Sequence, residues 1–275
     1  METARGKLPM AFDAATRNAM KLRNTIDIAP RALVSLVFAV TLGVSGCNIG
    51  SGHGPMARTA EMQTENVSVP LGAAKSVDVH LQMAAGELDI SGGSPQLLDG
   101  TIKYNVPEWK PDVSYSVHDG NGSLMVMQPE ASHTTIGGVK YTWDLHLNNA
   151  VPLNVAVEMG AGNSTLNFSS ITLRNLDVQM GAGNSTVDLT GDWKQNVTAS
   201  IQGGVGEAHI RLPRDVGVRV TVDGGLGSVD APNFKKDGDE YVNDAYGKSK
   251  VTVEVHVTGG IGEVYLELMG VRPIV

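Results

Sequence analysis

The residue whose type and position most directly indicate a chemistry is Cys47, the single cysteine of the chain. An ionised thiol is a nucleophile that can be modified, and a lone cysteine has no intramolecular disulfide partner. Cys47 follows the small residues Ser45 and Gly46. These come directly after an apolar run, Ala32–Val44, which Arg31 precedes. Thirteen uncharged residues are too few for a membrane-spanning helix, which needs about 20, but they suit the apolar part of a secretory signal peptide.

The segment formed by Val44, Ser45, Gly46 and Cys47 resembles the lipobox of bacterial lipoproteins. The resemblance implies that Cys47 receives diacylglycerol and that cleavage removes residues 1–46, whose true start could be Met20. A lipid-anchored protein of the bacterial cell envelope, on the inner or the outer membrane, is then expected. The alternatives are an ordinary signal peptide with a chance cysteine, or a buried strand. Residues 47–65 are rich in small and polar residues, which predicts a flexible tether.

The charge distribution makes nucleic acid an unexpected partner. The first 46 residues hold six of the 21 Lys and Arg and three of the 29 Asp and Glu, which leaves 15 basic against 26 acidic residues. A body with this formal charge of −11 is repelled by phosphate backbones and by anionic lipid surfaces. We therefore expect contact with the membrane through the lipid anchor.

No motif in the sequence predicts catalysis, a cofactor or a metal site. The seven histidines show no HExxH or paired spacing, and neither a GxSxG nor an SxxK motif occurs. The segment Gly224–Asp230 approaches a calcium-binding nonapeptide, but its acidic residue comes one place late. Gly160-Ala161-Gly162 lacks the third glycine and the following helix of a dinucleotide loop. We expect a protein that is not an enzyme.

The residues best suited to binding lie in two identical segments, Met159–Thr165 and Met180–Thr186, which both read MGAGNST and are 21 residues apart. Repeated amide and hydroxyl side chains suit extended contact in which many weak hydrogen bonds add up. An envelope glycan or a protein partner would fit such a surface. We expect a polar binding ladder made of Asn163, Ser164, Thr165, Asn184, Ser185 and Thr186.

The glycines of these segments recur in three looser copies. The leading glycines are Gly160, Gly181, Gly203, Gly224 and Gly259, at steps of 21, 22, 21 and 35 residues. Glycine permits sharp corners, so we expect these positions to be equivalent and to stack, and Gly181→Val to be destabilising because it enters a glycine-only conformation. The expected structural corners are Gly160, Gly162, Gly181, Gly183, Gly203, Gly206, Gly224, Gly227, Gly259 and Gly262.

The sequence on either side of each glycine corner has the pattern of a β-strand. Leu176, Val178 and Met180 alternate with Asp177 and Gln179, which is the period of a half-buried strand. Each unit of about 21 residues has one alternating run before its glycine corner and one after it. The pattern predicts an all-β chain, and the near-constant repeat favours a β-solenoid whose coils bury their apolar edges by stacking. A β-sandwich of sequential hairpins is the alternative.

The repeats also suggest an internal organisation. Residues 66–150 have longer strands and less regular turns, and are expected to be an N-terminal β region that caps the open edge of the stack. Residues 151–270 form the repetitive β domain. The 35-residue step exceeds the repeat because of the segment Asn233–Lys250, in which Asp237-Gly238 is a hairpin-turn signal and predicts an inserted β-hairpin or loop.

Several of these segments together resemble the toast-rack family of bacterial envelope proteins, related to the C-terminal domain of LiaF-type proteins that respond to cell-wall-active antibiotics. The resemblance covers roughly residues 67–268, and it implies a toast-rack-like fold and a cell-envelope protein, in some cases described as adhesin-like. The segments are Trp143–Leu147, Val151–Val155, the two GAGNST corners, Arg211–Val218 and Gly259–Val264.

The functional expectation is a non-catalytic, adhesin-like binding scaffold. A catalytic site needs several different side chains in one constellation, whereas stacked repeats offer the same side chains again and again. The alternative is an envelope-stress regulatory protein that docks on a membrane sensor, as the resemblance to LiaF-type proteins implies.

Overall fold

Alternating apolar and polar residues form strands throughout residues 59–129 and 138–270, the part of the chain that the computed structural model describes, apart from the side chains of Leu226 and Ile261. Cys47 and the predicted export segment lie outside the described residues. The strands are β1 (Gln63–Val69), β2 (Ser76–Ser94), β3 (Leu98–Tyr104), β4 (Asp112–His118), β5 (Asn121–Met127), β6 (Tyr141–Asn148), β7 (Leu153–Asn167), β8 (Leu173–Asp188), β9 (Val197–Pro213), β10 (Gly217–Asp223), β11 (Leu226–Asp230), β12 (Lys235–Asp237), β13 (Glu240–Val242) and β14 (Thr252–Met269). A single 3₁₀ turn, Pro107–Trp109, follows β3.

Each long strand bends once and keeps its apolar side toward a common core. In β7, Val157 and Met159 are buried before the bend, whereas Ser164 and Leu166 are buried after it. Unbroken alternation would turn the second half of the strand away from the core. The phase changes at the corner, where Gly162 has a φ of 129°, a value that favours glycine. We call the halves before and after this corner the first arm and the second arm.

Stacking of the bent strands produces the solenoid. The parallel order is β2, β7, β8, β9 and β14, followed by β10 on the first arm and β11 on the second. Because β14 lies between β9 and the β10–β11 pair, the coils are not stacked in the order of the chain. The strands belong to one continuous sheet of 14 strands. The predicted β-solenoid is confirmed, and the alternative of a sandwich is wrong.

The register corrects the predicted equivalence of the leading glycines by one residue. Met159 pairs with Met180 and Met180 pairs with Gly203, so Gly203 takes the place of a methionine and not of a corner glycine. Gly259 pairs with Gly203, and Gly224, the residue after β10, lies beside Gly259 on the next strand of the stack. Backbone contacts instead stack Gly160, Gly181, Gly204, Gly260 and Gly225 in a first glycine column, and Gly162, Gly183, Gly206, Gly262 and Gly227 in a second.

The N-terminal strands extend the stack beyond β2. On the first arm β5 pairs with β2 in parallel and β4 pairs with β5. On the second arm β6 pairs with β2 in parallel, and β3 and β1 follow in antiparallel pairings. Gln128, which follows β5, is buried and its Oε1 accepts a hydrogen bond from the Ala84 N–H at 2.9 Å. The N-terminal strands and the repetitive strands therefore belong to the same sheet, which continues across the predicted boundary at residue 150. β1 begins at Gln63, within residues 47–65, the range predicted to be a flexible tether.

The inserted hairpin is confirmed at the opposite end of the stack. β12 and β13 pair antiparallel, with Asp237 opposite Glu240, and Gly238 has a φ of 58° in the turn between them. β13 also pairs antiparallel with β10. The hairpin therefore covers the edge of the first arm.

Methionines fill the inside of the corner in the first three coils of the stack. Met83, Met159 and Met180 are buried and stand in register. Tyr141 and Trp143 of β6 extend this core, with their ring centroids 5.8 Å apart. Burial raises the pKa of the Tyr141 hydroxyl, which is therefore neutral at any physiological pH.

The glycine columns exist because the backbones of neighbouring coils touch at the corner. A Cβ built on Gly181 would collide with the carbonyl oxygen of Gly160, although the φ of Gly181 is not positive. The cost predicted for Gly181→Val thus has a different cause from the one expected. Close approach, and not a glycine-only conformation, excludes a side chain there.

Gly183→Ala and Gly203→Ala form a matched pair that tests this account. At Gly183 a Cβ would meet the Gly162 carbonyl in a residue with a φ of 129°, so we expect a loss of about 2–4 kcal/mol in the free energy of unfolding. At Gly203 a Cβ meets nothing within 4 Å, so we expect no loss and a gain of up to about 1 kcal/mol. Urea denaturation measures both. Equal effects of the two substitutions would contradict the stacked-glycine model of the corner.

Candidate functional site

The candidate site is the outer surface of the corner and of the adjoining second arm. Parallel pairing in register places equivalent residues of successive coils side by side. Two outward columns result, which we name the corner column and the second-arm column. The corner column contains Glu87, Asn163, Asn184, Glu207, Glu263 and Ser228, and the second-arm column contains Asp89, Thr165, Thr186, His209, Tyr265 and Asp230.

Four of the six residues of the predicted ladder lie on this surface. Asn163 and Asn184 are exposed and directly paired, and Thr165 is exposed beside Thr186. Asn184 Oδ1 accepts a hydrogen bond from the Glu207 N–H at 3.2 Å. Within residues 59–129 and 138–270, the Asn163 amide and the Thr165 hydroxyl have no hydrogen-bond partner. Their donors and acceptors are therefore available to a ligand.

Ser164 and Ser185 do not belong to the ladder, so that part of the prediction is wrong. Both side chains are buried on the inner side of the second arm, and the Ser164 hydroxyl donates a hydrogen bond to Ser185 Oγ at 2.9 Å. The reason is alternation, because neighbouring residues of a strand face opposite sides of the sheet. The two serines satisfy each other inside the core.

A second ladder runs along the outer face of the first arm, but its amides are already paired. Asn154 Nδ2 donates to Asp78 Oδ1 at 2.7 Å, and Asn175 Nδ2 donates to Asn154 Oδ1 at 2.9 Å. His80 Nε2 lies 3.1 Å from Glu158 Oε1 on the same face. These groups hold neighbouring strands together and leave fewer free donors than Asn163 and Thr165 offer.

A charged cluster continues the surface beyond the ladder. The His209 ring stacks on Tyr265 with centroids 4.4 Å apart and lies 3.7 Å from Glu207 and 3.6 Å from Glu267. The Tyr265 hydroxyl donates a hydrogen bond to Glu263, which raises the pKa of Tyr265 to about 12. This cluster was not predicted from the sequence. Its signal was the aligned pair of motifs Glu207-x-His209 and Glu263-x-Tyr265.

The surface offers binding groups without the arrangement of a metal centre. Among the described residues, no group of three or more His, Cys, Asp or Glu side chains is placed to hold a metal ion. No helix in that same part of the chain is long and apolar enough to cross a membrane. The corner glycines are structural, since their contacts are with the backbone of neighbouring coils.

Two family models match the chain. A family model described as the N-terminal domain of toast_rack matches residues 58–211, and one described as the C-terminal domain of the cell wall-active antibiotics response protein LiaF matches residues 160–266. No protein of curated function matches the chain.

Solved structures are also similar to this chain. A structure from Clostridium sporogenes described as a "putative cell adhesion protein" is 33% identical, with a TM-score of 0.74, over 76% of this chain and 100% of its own. A "putative adhesin" from Bacteroides fragilis is 12% identical with a TM-score of 0.28, over 76% and 99% of the two chains. The second likeness is too low to support an argument.

The buried serine pair generates a prediction about stability. Ser164→Ala leaves the buried Ser185 hydroxyl without its partner, so we expect a loss of about 1–2 kcal/mol in the free energy of unfolding. Ser164→Ala/Ser185→Ala removes both hydroxyls and should cost less than the sum of the single substitutions, with a coupling of about 1 kcal/mol. Thr165→Ala, on the exposed side, is the control and should change stability by less than about 0.5 kcal/mol. Additive losses in urea denaturation would refute the pairing.

Proposed function

Since the chain belongs to the toast-rack family, we propose that it is a non-catalytic, adhesin-like binding protein of the bacterial cell envelope, anchored by a lipid on Cys47. The similarity to a protein described as a cell adhesion protein, at 33% identity over the whole of that protein, supports this class of function. The match to the LiaF C-terminal family supports an envelope location.

The observation that carries the proposal is the exposed polar ladder, in which the Asn163 amide and the Thr165 hydroxyl have no partner among the described residues. Asn163, Asn184, Thr165 and Thr186 stand on neighbouring parallel strands in register, so their amides and hydroxyls repeat at the spacing of the sheet. Such a rigid, repeated surface binds a repeating ligand with little loss of conformational entropy. An envelope glycan, which repeats donors and acceptors along its length, has the matching chemistry.

The lipid anchor explains how an acidic domain stays at a membrane. The formal charge of −11 after residue 46 opposes contact with anionic lipids, so electrostatic attraction cannot supply the attachment. The motif Val44-Ser45-Gly46-Cys47 after a short apolar run supports an acyl anchor instead. The tether predicted after Cys47 would separate the solenoid from the bilayer.

Regulation of envelope stress is the second candidate function. The LiaF-like match spans residues 160–266 and includes both MGAGNST corners almost entirely. In this alternative the domain docks on a membrane-embedded sensor and does not bind a glycan. Cross-linking to a sensor kinase in cells, together with no retention on cell-wall material, would favour regulation.

Cys47→Ala tests the anchor. We expect the wild-type protein to incorporate a labelled fatty acid and to fractionate with membranes, because Cys47 is the only thiol that can be acylated. The variant should carry no label and should be released. Equal membrane retention without label on either protein would show that no lipid is attached.

Asn163→Ala/Asn184→Ala tests the ladder. Binding of the protein to immobilised peptidoglycan and envelope polysaccharides should weaken by roughly tenfold, because two exposed amides that face the ligand are lost. The thermal midpoint should stay nearly unchanged, since both side chains are exposed. Asn154→Ala/Asn175→Ala removes two asparagines from the first arm and is the matched control, which should bind as the wild type does. Equal weakening by both pairs would contradict a site on the corner and the adjoining second arm.

A further inference from the structure

The inward position just before the corner carries a large side chain at one end of the stack and no side chain at the other. The inward position before the corner is methionine in β2, β7 and β8, but it is Gly203 in β9, Gly259 in β14 and Gly224 after β10. A Cβ built on Gly203 or Gly259 meets no atom within 4 Å. A cavity of about 80 Å³ results at this end of the corner.

The cavity is mostly apolar and has the size of an aliphatic side chain. It is roughly half as large as the 150 Å³ engineered cavity that holds benzene. Residues from both arms line it. They include Val178, Ile201 and Val257 from the first arm and Ala208, Val229 and Val264 from the second.

The strand beside this cavity has a free edge. β11 pairs with β14 on one side, and no other described strand pairs with it. The equivalent edge of the first arm is covered, because β13 pairs with β10 and β12 pairs with β13. The free edge of β11 presents unpaired backbone donors and acceptors, which are a template for an added strand.

The surface around this edge is acidic. The corner segments 202–209, 223–230 and 258–265 contain no lysine or arginine. Glu207, Glu263, Asp223 and Asp230 are all exposed in these segments. The exposed apolar side chain of Val205, at 56% relative exposure, lies at the same corner and also lines the cavity. A partner that satisfies this surface must combine positive charge with apolar contact.

We propose that β11 binds an extended segment of a partner protein in which basic and apolar residues alternate. The segment adds a strand to the free edge of β11, inserts an apolar side chain into the cavity, and places a lysine or arginine beside Asp230. Strand addition of this kind obtains affinity from main-chain hydrogen bonds and specificity from side-chain pockets. A second copy of β11, whose sequence is LGSVD, supplies no basic residue for Asp230. The site is separate from the Asn163–Asn184 ladder and goes beyond the proposed function.

An alternating Lys–Val heptapeptide, labelled with a fluorophore, is the probe for the full-length chain. We expect saturable binding by fluorescence anisotropy. An alternating Glu–Val peptide has the same strand propensity with the opposite charge, and an alternating Lys–Ser peptide has the same charge without the apolar side chains. Both should bind at least about tenfold more weakly, because the Glu–Val peptide lacks the positive charge and the Lys–Ser peptide lacks the apolar side chains.

Two substitutions separate the cavity from the charge. Gly203→Met places in the cavity the side chain that Met159 and Met180 place in their own coils, so it should abolish Lys–Val binding while leaving the thermal midpoint equal or higher. Asp230→Asn should weaken binding roughly two- to fivefold. Asp89→Asn, at the equivalent position on β2, is the matched control and should have no effect. Unchanged binding by Gly203→Met, or equal effects of the two aspartate substitutions, would overturn the proposal.

Hydrogen exchange tests the geometry. Peptide binding should slow exchange of the amides of β11 and leave those of β1 unchanged, because only the edge of β11 receives the new strand. Binding without protection of β11 would overturn strand addition. A concentration-dependent dimer that Gly203→Met abolishes would overturn the choice of partner and identify a second copy as the occupant. Asn163→Ala/Asn184→Ala should bind the peptide normally, so failure of the ladder and failure of this site are distinguishable.

Discussion

The contact on which the rest of the structure depends is the backbone-to-backbone approach of the stacked corner glycines. Carbonyl oxygens of Gly162 and Gly183 occupy the space that a Cβ on Gly183 and Gly206 would need. These glycines also have φ values of 129° to 138°, which let each strand change its phase at the corner. Without that change the second arm would turn its apolar side to solvent. One core between two arms therefore exists only because the corner is glycine.

In-register stacking has a second consequence. Side chains that face inward stabilise the fold, whereas side chains that face outward are available for function. The inward column of Val157, Val178 and Ile201 holds the coils together, and this column stays aliphatic along the whole stack. Outward columns carry no such constraint. The corner column accordingly changes from asparagine in β7 and β8 to glutamate in β9 and β14 without any change in backbone path. A single fold can thus present surfaces of different chemistry at different heights of the stack.

The sequence predicted the strands, the repeat and the inserted hairpin, since all three are encoded by residues close together in the chain. Three features could not be predicted from the sequence, for physical reasons. Gly203-Gly204 offers two glycines for one corner position, and only pairing with Met180 decides between them. The position of β14 between β9 and β10 is a contact between residues far apart in sequence. The phase change also placed Ser164 inside, because the four consecutive residues from Gly160 to Asn163 are exposed or half-buried at the corner before the alternation resumes.

The inward position before the corner is packed differently at the two ends of the stack. Burying a methionine side chain contributes about 1.5–3 kcal/mol, and three coils of the stack obtain that contribution at this position. The other three have glycine there, with open space at Gly203 and Gly259 that could accept a side chain. Glycine is required where backbones touch, but no such contact exists at these two positions. At this end of the stack the corner therefore lacks the stabilisation that a buried methionine would contribute. The edge of the second arm is uncovered at the same end. A strand added to this edge could pair with β11 and fill the cavity beside it.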